Sequence, residues 1–352
     1  MHRSLEEARA ADLKYRTHFK RFWFLYLFIF LVIDAALALG LIYGIIPLVA
    51  QNCMNAAIIH VQGLSIKSPM NDQITLDMNS TVSVSVPVYA RMEPQEFEMH
   101  LPYDPSQAIF MKLPLEGMDV KDKMHITVKD WDTEILNGQV WREFAKSILT
   151  DQTLVMGVKS KPTIKIGPVG VGVDLKKNIT LKGFNGLKGI MLHNATILDK
   201  PLEDGTNVMV DGMIPNFSSF VLEVGDLTTD IAASGIKLGY AVIKNLTMVP
   251  GPNYVKIYNH VDPGFLNMPI FKDILNQTDV KITLTMNSTV YNGEHVQWLE
   301  GPLRETSPYY ATLNPKGADT LVAAPGNGSS TLSVALQGDA MKPMAQANLL
   351  TF

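Results

Sequence analysis

The residues whose type and spacing could support chemistry are mostly asparagines in the triplet N-x-[ST]. In the lumen of the secretory system, the asparagine of such a triplet accepts an N-linked glycan. Any single triplet is weak evidence, but eight in one chain form a strong signal. The sequence therefore predicts a luminal or extracellular part that is glycosylated at Asn79, Asn178, Asn194, Asn216, Asn245, Asn276, Asn287 and Asn327.

Patterns typical of catalytic or metal-binding sites are missing from the sequence. The eight histidines form no H-E-x-x-H motif, and there is no G-x-S-x-G motif. Asp130 and Asp132, in KDWDT, are more typical of a solvated strand face than of a cation site. We therefore predict no enzymatic activity, no cofactor and no metal. A net charge of -4 argues against nucleic acid as a partner.

The glycine-rich run GPVGVGV, residues 167–173, resembles a phosphate-binding loop at first sight. Such a loop needs a following helix, whereas the apolar positions here continue with period two as far as Leu175. The run therefore predicts a strand. Its glycines would allow close approach of another backbone or of a ligand.

Cys53 is the only cysteine, so no disulfide can form within the chain. It follows a long apolar segment directly. The sequence favours a free or partly buried thiol. The alternative is an intermolecular disulfide and a homodimer through the anchor, because two parallel membrane helices would bring Cys53 close to its copy in a second chain.

Residues 22–50 predict a transmembrane signal anchor, because Asp34 is their only charged residue. This segment is too long for a cleaved signal peptide. Six basic residues precede it, so the positive-inside rule predicts a cytosolic N-terminus and a luminal or extracellular C-terminal part. Asp34 predicts either a contact with another helix or a tolerated charge.

A nine-residue sequence occurs twice, as ITLDMNSTV at Ile74–Val82 and as ITLTMNSTV at Ile282–Val290. Apolar and polar residues alternate in the first copy, which predicts a half-buried antiparallel strand with Asn79 on the solvated face. The repeat predicts a duplicated β unit. Coincidence between two β-rich strands is the alternative.

Further alternating runs separated by turn signals predict a mainly β fold, in which a transmembrane helix precedes tandem antiparallel β-sandwich units. Helical spacing predicts one helix through Val140, Trp141, Phe144, Ile148 and Leu149, and a second through Leu266, Ile270, Phe271 and Ile274. The predicted divisions are a basic tail (1–21), the anchor (22–50), a first unit (51–150), a second unit with a partial repeat (151–312) and a disordered tail (313–352).

An ordered series of segments supports a family resemblance. It runs through LSIKSPMNDQITLDMNSTV, ITVKDWDT, WREFAKSIL, ITLKGFNGLKGI, GMIPNFSSFVLEVGDL and MNSTVYNGEHVQWLE. Over about residues 18–310, the chain resembles fungal single-pass membrane proteins of unknown function with luminal domains similar to the late-embryogenesis-abundant type 2 domain. The resemblance implies repeated β-sandwiches on a single-pass anchor, a vacuolar membrane location, and lipid held in an apolar groove.

Two functions remain open. In the first, the luminal part binds or transfers lipid in an apolar groove, with the glycines at 167, 170 and 172 leaving room and with candidate lining residues Val84, Val86, Val169, Val171 and Val173. In the second, it is a structural or adaptor ectodomain that binds a luminal or wall partner without lipid. A continuous apolar cavity favours the first function, and a filled core favours the second.

Overall fold

The computed structural model describes residues 2–85, 89–269 and 280–314. An apolar N-terminal helix precedes a large β-rich region, so the predicted fold class is confirmed. The predicted tail lies almost entirely outside the described residues.

The N-terminal helix has three parts: α1 (His2–Gly40), a π-helical turn (Leu41–Ile45) and α2 (Ile46–Ala56). Pro47 lies in the first turn of α2 and has no N–H to donate. The ladder instead shifts to a bond from the Ile46 N–H to the Leu41 carbonyl, so the π turn absorbs the proline. By length and composition, Arg21–Ala56 can cross a membrane.

The first β unit contains two four-stranded sheets, in the orders β10-β9-β3-β6 and β11-β8-β4-β5, and the β1-β2-β7 end of an eleven-stranded sheet. Residues 153–182 pair with β3 and β4, although the sequence suggested a division near residue 150. The strands are β1 (Ile58–Lys67), β2 (Gln73–Ser83), β3 (Ala90–Met92), β4 (Gln95–His100), β5 (Ile109–Leu115), β6 (Met118–Val120), β7 (Lys123–Glu134), β8 (Thr153–Ser160), β9 (Thr163–Ile166), β10 (Val169–Gly172) and β11 (Leu175–Lys182).

The second unit is a closed β-barrel. Its strands pair in the order β17-β19-β12-β13-β16-β15-β14, and β14 pairs back onto β17 to close the ring. Closure leaves no free sheet edge in the ring and encloses a lumen between the strands. The strands are β12 (Ile190–Ile197), β13 (Val208–Asn216), β14 (Phe220–Ala233), β15 (Ile236–Met248), β16 (Gly251–Val261), β17 (Val280–Tyr291), β18 (Glu294–His295) and β19 (Tyr309–Asn314).

Strand β14 joins the two units. Its first residues, 220–222, pair in parallel with β1, and residues 226–233 pair with β17. One strand therefore passes from the edge of the first unit into the wall of the barrel.

The repeated nonapeptide forms β2 in the first unit and most of β17 in the barrel. Ile74, Leu76 and Met78 are buried on β2, and the equivalent residues of β17 are buried as well. The predicted alternation is therefore confirmed up to Met78. It breaks afterwards, because Ser80 and Thr81 are both buried.

Helices α3 (Gly138–Thr150), α4 (Pro263–Leu266) and α5 (Gln297–Thr306) complete the described elements, with a 3₁₀ turn at Asn185–Leu187. The prediction of α3 is confirmed, and the Asn137 side chain caps it by accepting from the Val140 N–H. Of the second predicted helix, only Leu266 lies within a described helix, because Ile270, Phe271 and Ile274 lie outside the described residues. Helix α5 was not predicted.

Helices α3 and α5 pack together beside the two units. The rings of Trp141 and Trp298 lie 5.2 Å apart, and Phe110 of β5 stacks on Phe144 at 5.0 Å. The Trp298 indole N–H donates to the Met70 carbonyl at 2.7 Å, which ties α5 of the second unit to the first.

Candidate apolar binding sites inside the two units

The barrel encloses an apolar cavity of about 90 Å³. Residues of all seven strands line it, and leucines from α3, the 3₁₀ turn and α5 complete the lining: Leu149, Leu187, Leu299 and Leu303. The polar exceptions are Thr229 and Asn259. Both donate to strand carbonyls, Thr229 to Thr285 at 3.0 Å and Asn259 to Val208 at 3.2 Å. The lumen therefore presents apolar surface to anything that enters it.

The first unit also encloses an apolar cavity of about 90 Å³. We call it the first cavity, because it lies in the first unit. Its lining is apolar except for Ser80 and the thiol of Cys53. Six lining residues are methionines, whose unbranched side chains adapt to ligands of different shape. They are Met54, Met78, Met92, Met99, Met124 and Met156.

One wall of the first cavity belongs to the N-terminal helix. Val49, Ala50, Cys53 and Met54 of α2 line the cavity together with Ala57. Ala50 and Ala57 are buried, and their small side chains let the helix approach the strands closely. The apolar interior of the first unit is therefore in direct contact with the end of the predicted anchor.

Polar contacts fix α2 against the unit at the turn between β10 and β11. The Gln51 side-chain amide donates to the Asp174 carbonyl and accepts from the Asp174 N–H, both at 2.8 Å. The Lys177 ammonium donates to the Asn55 carbonyl at 2.6 Å, at the C-terminal end of α2, where a cation is favoured. Burial lowers the pKa of Lys177.

Each cavity is about as large as three water molecules. Water has few polar partners there, and empty apolar cavities of this kind stay dry and bind apolar guests. At about 24 cal/mol per Å³, each unfilled cavity costs about 2 kcal/mol of stability.

The predicted groove residues have different positions. Val84 lines the first cavity. Val171 and Val173 are buried but line neither cavity, Val169 is half-buried outside both, and Val86 lies outside the described residues. Alternation predicts the buried face of a strand, but it does not identify what that face contacts.

The glycines of GPVGVGV do not make room for a ligand. Gly167, Gly170 and Gly172 are all exposed. A Cβ at Gly172 would meet no atom within 4 Å, and one at Gly170 would make only an ordinary contact with Thr163. Strands β9 and β10 form a hairpin through this run, so the predicted strand is confirmed.

The predicted glycosylation sites also differ in environment. Asn79, Asn178, Asn245 and Asn287 are exposed on strands, and Asn194 is half-buried. Asn276 and Asn327 lie outside the described residues.

Asn216, by contrast, is only 2% exposed. Its amide donates to the Phe220 carbonyl at 2.8 Å, and its oxygen accepts from the N–H and hydroxyl of Ser218. The fold therefore leaves no room for a glycan on this nitrogen.

The remaining candidates are surface groups. Asp130 pairs with Lys67 at 3.1 Å, and Asp132 accepts from the Thr75 hydroxyl at 2.6 Å. Within the described ranges, no group of three or more His, Cys, Asp or Glu residues could hold a metal ion. Cys53 is a half-buried free thiol in the wall of the first cavity.

Sequence reasoning missed the methionines of the first cavity and the contacts of Gln51, Asp174 and Lys177. Gln51 and Asp174 are 123 positions apart, and Asp174 contributes only backbone atoms to their hydrogen bonds. Neither residue type therefore predicts this contact. Five of the methionines lie on five separate strands and Met54 lies on α2, so their concentration in one cavity emerges only from the tertiary packing.

Comparison with known proteins places part of the chain in relation to an uncharacterised family. Residues 108–231 match DUF3712, described as a protein of unknown function. The matched range begins just before β5 and ends in β14, so it spans parts of both units. No curated protein matches the sequence.

Three solved structures show weak likeness. A protein from Archaeoglobus fulgidus is 14% identical, with 36% of this chain and 94% of that chain covered, at a TM-score of 0.22. The Salmonella enterica SafA pilin–SafB chaperone complex is 10% identical, with 67% and 93% covered, at 0.19. Red sea bream transglutaminase is 12% identical, with 73% and 32% covered, at 0.23. TM-scores this low carry no argument about function.

Proposed function

We propose that this protein is a single-pass membrane protein whose extracytoplasmic β units bind lipid acyl chains without covalent chemistry. The observation that supports this proposal best is the first cavity, which is apolar, incompletely filled and lined by six methionines. Transfer of each CH₂ of a chain from water into such a space contributes about 0.8 kcal/mol. The walls offer few polar groups, so binding selects the apolar part of a ligand.

The size of the unfilled space decides how such binding works. A volume of about 90 Å³ holds only a short length of chain. A longer chain needs lining side chains to change rotamer, and the methionines provide this adaptability. The barrel is lined mainly by branched aliphatic residues and includes only Met248 and Met286, so we assign the stronger binding to the first unit.

A structural or adaptor ectodomain is the second candidate function. The same small volume supports it, because both interiors are nearly filled by their own side chains. In this case the exposed strand faces, with their asparagine triplets, would bind a luminal or wall partner.

Mass spectrometry of the full chain, purified from membranes in mild detergent, separates the two functions. We expect co-purified lipid at close to one molecule per chain, seen by native spectra and by lipid extraction. A lipid-free mass that persists after incubation with phospholipid vesicles would overturn the lipid proposal and favour the adaptor.

A matched pair of variants locates the lipid. Ala90→Phe fills the first cavity with apolar atoms, and we expect it to lose bound lipid. Ala232→Phe places the same ring on β14 outside both cavities, and we expect it to keep the lipid. Thermal unfolding shows whether each variant is folded. Equal lipid content in two folded variants would rule out the first cavity as the binding site.

A further inference from the structure

We propose that the first cavity takes its acyl chain directly from the surrounding bilayer, through an opening that α2 closes. This inference rests on the proposed function and specifies the ligand source and the entry route. In this proposal, α2 acts as a gate as well as a connection between anchor and ectodomain.

The position of α2 identifies the entry route. Strand β10 is an edge of one sheet and β11 is an edge of another, so a seam without ladder hydrogen bonds lies between these consecutive strands. Helix α2 lies against both strands and covers the seam. Entry at this seam breaks no strand pairing, whereas entry through a sheet would break several ladder bonds.

Few polar contacts hold α2, the gate, against the seam. The two bonds between Gln51 and the Asp174 backbone and the bond from Lys177 to the Asn55 carbonyl join α2 to the β10–β11 turn and to β11. Apolar contacts of Ala50 and Met54 with the cavity wall also hold α2 in place. An acyl chain that enters beside α2 replaces these apolar contacts with its own.

The π turn provides a hinge. Leu41–Ile45 departs from the regular α ladder, and Pro47 removes one further donor just after it. Gly44 lies within this turn, and a Cβ there would meet no atom within 4 Å. Bending at Leu41–Ile45 would move α2 away from the seam without displacing the spanning helix.

The aromatic residues of the N-terminal helix place this gate at the membrane surface. Trp23 and Tyr43 are 20 positions apart, about 30 Å along a helix, which matches the thickness of the hydrocarbon core. Exposed aromatic residues at this spacing are typical of the two interfacial belts. Val49, the first α2 residue of the cavity wall, is then about 9 Å beyond the second belt, just outside the headgroup layer.

This placement defines the ligand. One acyl chain of a bilayer phospholipid would rise across the headgroup layer into the apolar cavity, and its polar headgroup would stay outside. The lining provides no charged group to neutralise a buried phosphate.

The test uses the full chain in phosphatidylcholine nanodiscs that contain a phosphatidylcholine with a diazirine at the end of one acyl chain. Flashes of ultraviolet light after increasing times, followed by peptide mass spectrometry, measure how fast label reaches β2, β4 and β8. In the wild type we expect label on these strands as well as on α1. Gln51→Ala removes both bonds to Asp174, and we expect labelling of the cavity to be roughly tenfold faster. Gln73→Ala, at an exposed glutamine on β2, is the matched control and should leave the rate unchanged.

The outcomes separate this inference from the proposed function. If the cavity is labelled at the same rate in Gln51→Ala and wild type, or only by a diazirine fatty acid supplied from water, the α2 entry route is wrong and lipid binding stands. If label is confined to α1 with either source, and extraction also finds no lipid, both proposals fail.

Discussion

At the scale of single residues, identical sequence patterns have opposite environments. Asn79 and Asn216 each begin an N-x-[ST] triplet, but Asn79 is exposed on β2 while Asn216 is buried at the end of β13. The Asn216 amide organises the turn into β14 by bonding to Phe220 and Ser218. The triplet there serves the fold.

This difference predicts the glycosylation pattern. Enzymatic deglycosylation with peptide mapping should find modified asparagines at 79, 178, 245 and 287, and an unmodified Asn216. Asn216→Gln should lower the free energy of unfolding by about 1–3 kcal/mol, because buried hydrogen-bonding groups lose their partners. Asn79→Gln should change it very little. A glycan found on Asn216 of the folded protein would contradict the barrel described for this region.

A buried histidine predicts the response to acid. His100 is 6% exposed at the end of β4, and burial, aided by Lys159, lowers its pKa. The unfolded chain therefore takes up a proton at a higher pH than the folded chain, so stability falls as the pH drops below about 6.5. Nearby Asp104 acts in the opposite direction but is the smaller influence.

We expect the melting temperature of the wild type to fall more than that of His100→Met between pH 7 and pH 5. His60→Met, at an exposed histidine of β1, is the control and should follow the wild type. Parallel curves for the wild type and His100→Met would show that His100 does not determine the acid response.

At the scale of elements, two strand glycines separate close backbone packing from open space. Gly239 has φ +151 on β15, and a Cβ there would collide with the His260 carbonyl of β16. Gly172, on β10, has no atom within 4 Å of this position. The close approach that the sequence suggested for the GPVGVGV run therefore occurs in the barrel wall.

Alanine substitutions test this contrast. Gly239→Ala should destabilise the protein by at least about 3 kcal/mol, because the strands must separate or the backbone must change conformation. Gly172→Ala should be neutral or stabilise by about 0.5 kcal/mol, since alanine restricts the unfolded chain. Denaturant unfolding measures both values. A strong loss in Gly172→Ala would mean that the exposed face of β10 contacts something in the native protein.

The elements also show what a sequence can and cannot specify. Helix α3 was predictable because its buried residues recur at helical spacing in a continuous segment. Helix α5 was not, because Gly301 and Pro302 interrupt a segment of only ten residues. Both repeated strands were predictable from their alternation. The closure of β14 onto β17 was not, because pairing between strands about 56 positions apart leaves no periodic signal.

At the scale of the whole molecule, each of the two units encloses an apolar interior, but different elements form the two enclosures. The first unit encloses its apolar interior with strands of three sheets and the end of the N-terminal helix, while the second encloses its interior with a ring of strands capped by α3 and α5. In the proposed mechanism, the first interior therefore has one wall, α2, that can move without breaking strand pairing. The second can open only if helices detach or strands separate.

The barrel cavity provides a final prediction on stability. Ala241 is 1% exposed on β15 and lines this cavity, so Ala241→Leu adds methyl groups where space is unfilled. In delipidated protein we expect the free energy of unfolding to rise by about 1 kcal/mol, part of the roughly 2 kcal/mol that the cavity costs. Ala232→Leu, outside both cavities, should leave the free energy of unfolding nearly unchanged.

If added lipid raises the melting temperature of the wild type and Ala241→Leu equally, the lipid occupies the first unit, because a ligand stabilises the fold only through the site it binds. If Ala241→Leu loses this shift, the barrel is the binding site, and destabilisation of the delipidated variant would show that the lumen is already filled.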